Sequence, residues 1–241
     1  MDHQLKQLQD WISESRHIVF FGGAGVSTER GIPDFRSVDG LYHQQYAFPP
    51  ETILSHSFFE RNPEEFYRFY RSKMLFPQAR PNAAHWKLAE LEAAGKLTAV
   101  VTQNIDGLHQ AAGSKTVYEL HGSVHRNHCM KCRRFYGLDF LLETGGVPHC
   151  PACGGVVKPD VVLYEECLDE TTMEGAVEAI AGADMLIIGG TSLAVYPAAG
   201  LIRYYRGNRL ALINKSATPY DREAGLVINA SLGEVLGAIR V

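Results

Sequence analysis

Short apolar runs alternate with longer amphipathic stretches along most of the chain. The runs are rich in β-branched residues, which is typical of buried strands. Predicted strands cover 17–21, 97–101, 116–120, 160–164, 184–188, 209–213 and 226–229. Predicted helices cover 3–14, 82–94, 170–181, 197–206 and 231–240. This alternation predicts an α/β fold with a mainly parallel sheet.

Two segments interrupt this alternation and carry no clear strand. Residues 37–80 contain Pro49-Pro50 and an aromatic, helix-like stretch, and residues 125–157 contain four paired cysteines with several Gly and Pro. We interpret both segments as insertions that together form a smaller second lobe. The remaining ranges, 1–36, 81–124 and 158–241, are then expected to form the larger domain.

Composition and charge exclude several classes of protein. The chain has 241 residues, of which 46% are hydrophobic and 21% charged, enough for one core and a small appended module. The net charge is −4 without a basic cluster, which argues against direct binding to nucleic acid. The polar N-terminus and the absence of any membrane-length apolar run predict a cytoplasmic protein without a membrane partner. We expect a monomer.

Four of the five cysteines form two pairs. Cys129 and Cys132 are separated by two residues, as are Cys150 and Cys153, and seventeen residues lie between the pairs. This spacing is typical of a structural zinc site in which four thiolates fill the tetrahedral coordination shell. A redox dithiol is the alternative, but two pairs at this spacing are unusual for it. The fifth cysteine, Cys167, is interpreted as a spare thiol.

A glycine-rich turn, Gly22-Gly23-Ala24-Gly25, directly follows the first predicted strand. Glycines at such a turn let backbone N–H groups approach a phosphate, although any tight strand–helix turn also favours them. A dehydrogenase fingerprint needs a small residue where this chain has Thr28, and Pro33 would interrupt a following helix. The pattern therefore disfavours a conventional hydride-transfer enzyme and favours a loop over the cofactor.

Polar or small residues follow several of the predicted strands. They are 102–109 (TQNIDGLH), His121-Gly122, Gly189-Gly190-Thr191-Ser192 and Asn214-Lys215. Because ligands of parallel α/β sheets bind outside the carboxyl ends of the strands, these residues suit a dinucleotide laid across the sheet. His121 could also take a proton near neutral pH. Asp106-Gly107 fits an Asx-type turn equally well.

Taken together, GAGVSTERGIPDFR, TQNIDGLH, the His-Gly pair, the CxxC pairs and GTSLAVYPA closely resemble the sirtuins, NAD-dependent protein lysine deacylases. The resemblance is to a short, bacterial-type catalytic core and runs in order from about residue 10 to 235. It implies a Rossmann-like domain and a smaller lobe built from a helical and a zinc-binding insertion. It also implies NAD as co-substrate and a structural Zn²⁺ held by Cys129, Cys132, Cys150 and Cys153.

The resemblance assigns roles at the matching positions. The phosphate and ribose end of NAD would be lined by Ala24, Ser27, Thr28 and Arg36. The nicotinamide would be surrounded by Phe35, Ile105 and Asp106, and its ribose would be held by Gln103 and Asn104. The adenosine half would be held by Thr191, Ser192 and Asn214. A further adenine contact is expected near 230–233. His121 would be the general base, with Asn104 beside it in the catalytic site.

The resemblance also implies a mechanism. The acyl oxygen attacks the ribose C1′ as nicotinamide leaves, and His121 then helps the ribose 2′-hydroxyl attack the resulting imidate. Water completes the transfer, which gives free lysine, nicotinamide and O-acyl-ADP-ribose. Acyl-lysine proteins or peptides would enter between the lobes, with the peptide backbone added as a strand beside Val161, Val162, Leu163 and Tyr164.

Two departures from the family pattern concern substrate choice. The usual Phe-Gly-Glu is Tyr164-Glu165-Glu166 here, so we expect a preference for a basic residue beside the target lysine. Family members that remove succinyl or malonyl groups carry Tyr and Arg three residues apart, whereas Tyr67 is followed at that distance by Tyr70. Arg71 lies one residue further, about 100° around a helix. We therefore expect neutral acyl groups to be preferred, with Tyr67 and Tyr70 at the acyl tunnel.

Two other functions fit parts of the pattern. An NAD-dependent protein mono-ADP-ribosyltransferase would modify a protein nucleophile instead of the acyl oxygen. A non-catalytic NAD-sensing or zinc-scaffold protein would bind NAD without releasing nicotinamide. The presence of His121, Asn104 and Asp106 argues against the second of these.

Overall fold

The computed structural model describes residues 2–28, 31–33 and 48–241. Its strands, numbered along the chain, are β1 (Ile18–Gly22), β2 (Leu97–Thr102), β3 (Val117–Glu119), β4 (Gly122–Cys129), β5 (Phe135–Tyr136), β6 (Val157–Val161), β7 (Met185–Gly189), β8 (Leu210–Ile213) and β9 (Leu226–Ile228). Six of them form one sheet in the order β3-β2-β1-β7-β8-β9, and every adjacent pair is parallel. The predicted α/β fold is confirmed.

Helices cover both faces of this sheet and also lie in the smaller lobe. They are α1 (Asp2–Glu14), α2 (Pro50–Ile53), α3 (His56–Arg61), α4 (Pro63–Lys73), α5 (Ala83–Ala93), α6 (Leu108–Ala111), α7 (Leu138–Glu143), α8 (Glu170–Ala181) and α9 (Leu232–Gly237). A 3₁₀ helix covers Ala198–Tyr204. The predicted helix at 197–206 therefore forms with tighter winding, in a stretch where Gly200 lowers α-helix propensity.

The central strands are buried on both faces, which explains their unbroken apolar sequence. All five residues of β1 and all five of β7 are buried. One face packs against α1, α5 and α9, and the other against α8 and the 3₁₀ helix. Because both faces need apolar side chains, these strands do not show the polar–apolar alternation of a half-exposed sheet.

The strand order reverses beside β1. The chain proceeds from β1 to β2 on one side, whereas β7 lies on the other side of β1. In open parallel sheets such a reversal opens a crevice at the carboxyl ends of the strands, where ligands bind. The glycine-rich turn follows β1 and enters this crevice.

A second, antiparallel sheet of three strands lies in the smaller lobe, in the order β5-β4-β6. The prediction of a strand at 160–164 is corrected by this pairing. The strand runs from Val157 to Val161 and pairs with β4 instead of joining the parallel sheet. The sequence analysis missed β4, because its sequence GSVHRNHC lacks an apolar run.

The helical and cysteine-bearing segments share one apolar core. Phe66 and Tyr67 of α4 belong to the same buried cluster as Leu141 and Cys150 of the cysteine-bearing segment. This packing explains why two insertions that are distant in sequence contribute to one lobe; the exact domain boundaries remain a prediction. No helix in the described ranges combines the length and apolar character needed to cross a membrane.

Candidate active site

A cavity of about 1010 Å³ lies where the parallel sheet meets the smaller lobe. Its walls come from the ends of β1, β2, β7 and β8 and from the segment that follows β6. Predicted site residues on the walls are Ala24, Ser27, Thr28, Gln103, Asn104, Ile105, Asp106, His121, Val162, Tyr164, Thr191, Ser192 and Asn214. The fold thus brings together residues that are nearly two hundred positions apart. Phe35 and Arg36 lie outside the described residues.

Close backbone contact between two turns forms the floor of this cavity. The Gly25 N–H donates to the Gly190 carbonyl oxygen at 2.8 Å. Gly190 has a φ of +61°, and a Cβ atom there would lie 2.4 Å from the backbone nitrogen of Val26. Glycine is required at Gly190 because both the conformation and the contact exclude a side chain. The sequence analysis noted the glycines of both turns, but only the structure shows that they allow the two backbones to come into contact.

Asp106, Ser27 and Asn104 form one hydrogen-bonded group on the cavity wall. The Ser27 hydroxyl donates to Asp106 Oδ2 at 2.7 Å and accepts from Asn104 Nδ2 at 3.2 Å. Asp106 Oδ1 accepts from the Leu108 N–H at 2.9 Å, so Asp106 also makes the Asx-type turn. Burial raises the pKa of the Asp106 carboxyl, and the hydrogen bonds from Leu108 and Ser27 oppose that rise.

His121 lies in the turn between β3 and β4 and lines the cavity. Its Nδ1 is 3.0 Å from the carbonyl oxygen of Gln103, which can only accept a hydrogen bond. Nδ1 must therefore carry the proton, which leaves Nε2 as the acceptor in a neutral imidazole. Burial lowers the pKa of His121, whereas the bond to Gln103 opposes that change. The ring is consequently neutral and able to accept a proton near pH 7.

The opposite end of the cavity is organised by Thr191 and Asn214. Asn214 Oδ1 accepts from the Thr191 N–H at 3.1 Å, and Asn214 Nδ2 donates to the Thr191 carbonyl oxygen at 2.9 Å. Thr191 Oγ1 in turn accepts from Gln103 Nε2 at 3.1 Å. These bonds join the ends of β2, β7 and β8 into one surface. Ala230, Ser231 and Leu232, in the range where an adenine contact is expected, also line the cavity.

Val162 and Tyr164 lie on the cavity wall contributed by the segment after β6. The Val162 N–H donates to the His121 carbonyl oxygen at 3.0 Å, so this segment is bonded directly to the residue carrying the candidate base. The Tyr164 N–H donates to the Leu54 carbonyl oxygen at 2.9 Å, and the Tyr164 carbonyl oxygen accepts from the His56 N–H at 2.9 Å. The backbone N–H and carbonyl oxygen of Tyr164 are therefore already paired within the protein.

Tyr67 and Tyr70 do not lie at the cavity, which corrects the expectation that they line the acyl tunnel. Both side chains are fully buried in the core of the smaller lobe. The Tyr67 hydroxyl donates to the Val157 carbonyl oxygen at 2.5 Å, and the Tyr70 ring stacks on Phe66 with centroids 5.6 Å apart. An aromatic stripe on a helix can face a core or a tunnel, and here the surrounding apolar residues direct it to the core.

The four paired cysteines converge in the smaller lobe, apart from the cavity. Their Sγ atoms all lie within 4.8 Å of one another, with Cys129 to Cys153 at 3.4 Å and Cys132 to Cys150 at 3.7 Å. A tetrahedral zinc with Zn–S bonds of about 2.3 Å needs sulfur atoms about 3.8 Å apart. The donor set fits structural zinc.

The sequence analysis missed two residues that the structure brings to the site. Arg80 and His125 also line the cavity. His125 Nε2 lies 3.1 Å from the backbone carbonyl oxygen of Asp106. Single polar residues outside a motif carry no such sequence signal. The proximity of His125 to Asp106 depends on how β4 crosses the end of β2.

Comparisons with known proteins agree with this architecture. The model of the Sir2 family matches residues 23–197. A protein of Clostridium perfringens (strain 13 / Type A) described as an NAD-dependent protein deacetylase is 62% identical over 242 residues, which cover 99% of each chain. A protein of the same description from Staphylococcus aureus (strain NCTC 8325 / PS 47) is 43% identical over 241 residues, again 99% of each chain.

Solved structures extend the similarity to three dimensions. A structure described as "Structural Basis for the Mechanism and Regulation of Sir2 Enzymes" has a TM-score of 0.89 and 40% identity, covering 98% of this chain and 96% of the other. A structure of Sir2 with a p53 peptide and NAD⁺ has a TM-score of 0.84 and 41% identity, covering 96% and 95%. The chain belongs to the Sir2 family.

Proposed function

We propose that the protein is an NAD-dependent protein lysine deacylase that releases nicotinamide and O-acyl-ADP-ribose. The observation that carries the proposal is His121, held by Gln103 as a neutral base on the wall of a dinucleotide-sized cavity. The relatives described as NAD-dependent protein deacetylases support acetyl-lysine as the substrate group. Acyl-lysine proteins or peptides are the proposed partners.

NAD would lie across the carboxyl ends of the parallel strands. Ala24, Thr28 and the N–H groups of the glycine-rich turn would hold its phosphates, and Thr191, Ser192 and Asn214 would hold the adenosine half. Asp106 would accept a hydrogen bond from the nicotinamide carboxamide, with Ile105 beside the ring. Gln103 and Asn104 would hold the nearby ribose, within the hydrogen-bonded group that includes Ser27. Bound NAD would supply the ribose carbon that receives the acyl oxygen.

His121 would accept the proton of the ribose 2′-hydroxyl. Its Nδ1–H bond to the Gln103 carbonyl oxygen fixes both the tautomer and the ring orientation. Burial keeps the ring neutral, so that Nε2 can take a proton without first losing one. Gln103 would therefore orient the base through its backbone and the ribose through its side chain.

The zinc site would serve substrate binding by shaping the smaller lobe. Cys129, at the end of β4, is opposite Val157, at the start of β6, in the antiparallel register. Since β6 leads into the segment with Val162 and Tyr164, zinc bound at the four cysteines would fix the strand that presents this wall. Four thiolate ligands leave no position for substrate, so the metal role is structural.

We propose that neutral acyl groups are preferred over succinyl and malonyl. Arg71 Nε donates to the Leu141 carbonyl oxygen at 2.9 Å, and its Nη1 donates to the Gly146 carbonyl oxygen at 2.6 Å. Because Tyr67 and Tyr70 are buried in the core, helix α4 presents no Tyr–Arg pair to the cavity. An acyl carboxylate would lose its hydration there without that compensation.

A panel of matched peptides bearing acetyl-, propionyl- or succinyl-lysine tests this preference. We expect kcat/KM for the acetyl peptide to exceed that for the succinyl peptide by about a hundredfold, since an uncompensated buried charge costs several kcal/mol. Equal or faster removal of succinyl would contradict the proposal.

Mass spectrometry of the products tests the activity itself. Incubation of the zinc-loaded protein with NAD and an acetyl-lysine peptide should yield unmodified lysine peptide and O-acetyl-ADP-ribose. An ADP-ribosylated protein without deacetylated peptide would instead identify a mono-ADP-ribosyltransferase. NAD binding without either product would identify a non-catalytic NAD sensor.

A further inference from the structure

Glu165 has a backbone conformation that is unfavourable for a residue with a side chain. Its φ is +75°, in the left-handed region. Among the non-glycine residues with positive φ in the described ranges, only Glu165 lines the cavity. Strain of this kind persists where surrounding contacts hold the residue in place, and it is common at functional sites. At the matching position the sirtuin pattern has glycine, which adopts this conformation without strain.

The contacts that hold Glu165 come from helix α3. Glu165 Oε2 accepts from the Ser57 N–H at 2.8 Å, and Oε1 accepts from the Ser57 hydroxyl at 3.0 Å. Both carboxylate oxygens are therefore engaged by one residue. We call this pair the Ser57–Glu165 latch.

Glu166, the next residue, also bonds the segment after β6 to helix α3. Glu166 Oε1 lies 2.8 Å from His56 Nδ1, while Oε2 accepts from Lys158 Nζ at 3.1 Å and from the Leu163 N–H at 2.9 Å. Burial opposes ionisation of Glu166, but the bonds from Leu163 and His56 lower its pKa below the usual value. Glu166 and the backbone pairing of Tyr164 thus support the segment even without the latch.

We infer that Glu165 is a positioning residue for the peptide substrate. The latch offsets the free-energy cost of the left-handed conformation at Glu165 and so holds the Glu165 backbone in position. An acyl-lysine peptide would add as a strand at this backbone, next to Tyr164, whose own backbone is already paired. This inference rests on the proposed function. It also changes the expectation drawn from sequence: a carboxylate engaged through both oxygens gives little preference for basic residues beside the target lysine.

Three substitutions separate positioning from charge. In Glu165→Ala the strain remains but the latch is lost, so the competent backbone is less populated and the peptide KM should rise about fivefold to tenfold. Glu165→Gly removes both the latch and the strain, and should return the peptide KM to within about twofold of wild type. Glu165→Gln keeps an acceptor for the Ser57 N–H without charge, and its KM should lie between those of Ala and wild type. The rise should appear in the peptide KM more than in kcat or the NAD KM.

Each variant is assayed with peptides that carry Lys, Ser or Glu beside the acetyl-lysine. The ordering of peptide KM values, with Ala highest and Gly near wild type, should hold for all three peptides. Equal KM values for Ala and Gly would overturn the inference. A rise confined to the peptide with Lys would overturn it too and would assign Glu165 to charge recognition.

Thermal unfolding gives a readout that does not require turnover. Glu165→Ala should melt at a lower temperature than Glu165→Gly, because only the alanine variant retains unsupported strain. Should the wild type fail to deacetylate any peptide, the proposed function fails, while the melting order still decides the latch. Equal melting temperatures for the two variants would then refute it.

Discussion

At the scale of single residues, the site depends on protons and contacts that the surrounding backbone fixes. The Gln103 carbonyl oxygen selects the His121 tautomer, and burial keeps that ring neutral. Ser27 links Asp106 to Asn104. Chemistry at the cavity therefore follows from backbone carbonyl and hydroxyl positions as much as from the reactive side chains.

Replacing His121 with alanine should lower kcat by about a hundredfold to ten-thousandfold, the usual contribution of a general base. Since burial lowers the pKa of His121, protonation should inactivate the wild type only as pH falls below 6.5. The acid limb of the kcat/KM profile should therefore have an apparent pKa below 6.5. His128→Ala is the matched control, because His128 contacts Phe135 and does not line the cavity. Wild-type turnover in His121→Ala would show that the base is misassigned.

Gly190→Ala should weaken NAD binding and destabilise the fold, because its Cβ would meet the Val26 backbone nitrogen at 2.4 Å. Gly95 has a similar positive φ of +69° but open space around it, so Gly95→Ala isolates the conformational cost of about 1 kcal/mol. Calorimetric titration with NAD and thermal unfolding measure both effects. The account would be contradicted by equal losses in the two variants.

At the scale of elements, the sequence predicted the buried parallel strands well and the smaller lobe poorly. Strands such as β1 and β7 consist of unbroken apolar runs. These two strands are parallel neighbours, so the motif residues that follow them meet at the same edge of the sheet. By contrast β4 has a mixed polar sequence, and Pro159 interrupts the run in β6. Tyr67 and Tyr70 were misplaced because helical periodicity does not reveal which neighbour covers the aromatic face.

Zinc bound at the four cysteines should stabilise β6, the strand that leads into the proposed substrate wall. Cys150→Ser should lose bound zinc, melt at a lower temperature and lose peptide turnover, because structural zinc contributes roughly 10–16 kcal/mol of apparent binding free energy. Cys167→Ser is the control, since Cys167 lies outside the cluster and should leave one zinc per chain. Metal analysis with thermal unfolding decides this. Full zinc content in Cys150→Ser would contradict the assignment.

At the scale of the whole molecule, the parallel sheet and the smaller lobe enclose the cavity, and residues that line the cavity also connect its walls to one another. His121 lies between β3 and β4, and its carbonyl oxygen accepts from the Val162 N–H in the segment after β6. The candidate base therefore lies at the junction of the proposed cofactor-binding edge and the proposed substrate wall. This placement explains how binding of an acyl-lysine could bring its oxygen to a ribose held on the sheet.

The central claim is that this cavity breaks the bond between nicotinamide and ribose when an acyl-lysine is present. Nicotinamide release from NAD by the purified, zinc-loaded protein, with and without an acetyl-lysine peptide, tests it most directly. We predict one nicotinamide released per acetyl group removed, and little release without the peptide. Undiminished NAD after incubation with the peptide would contradict the account.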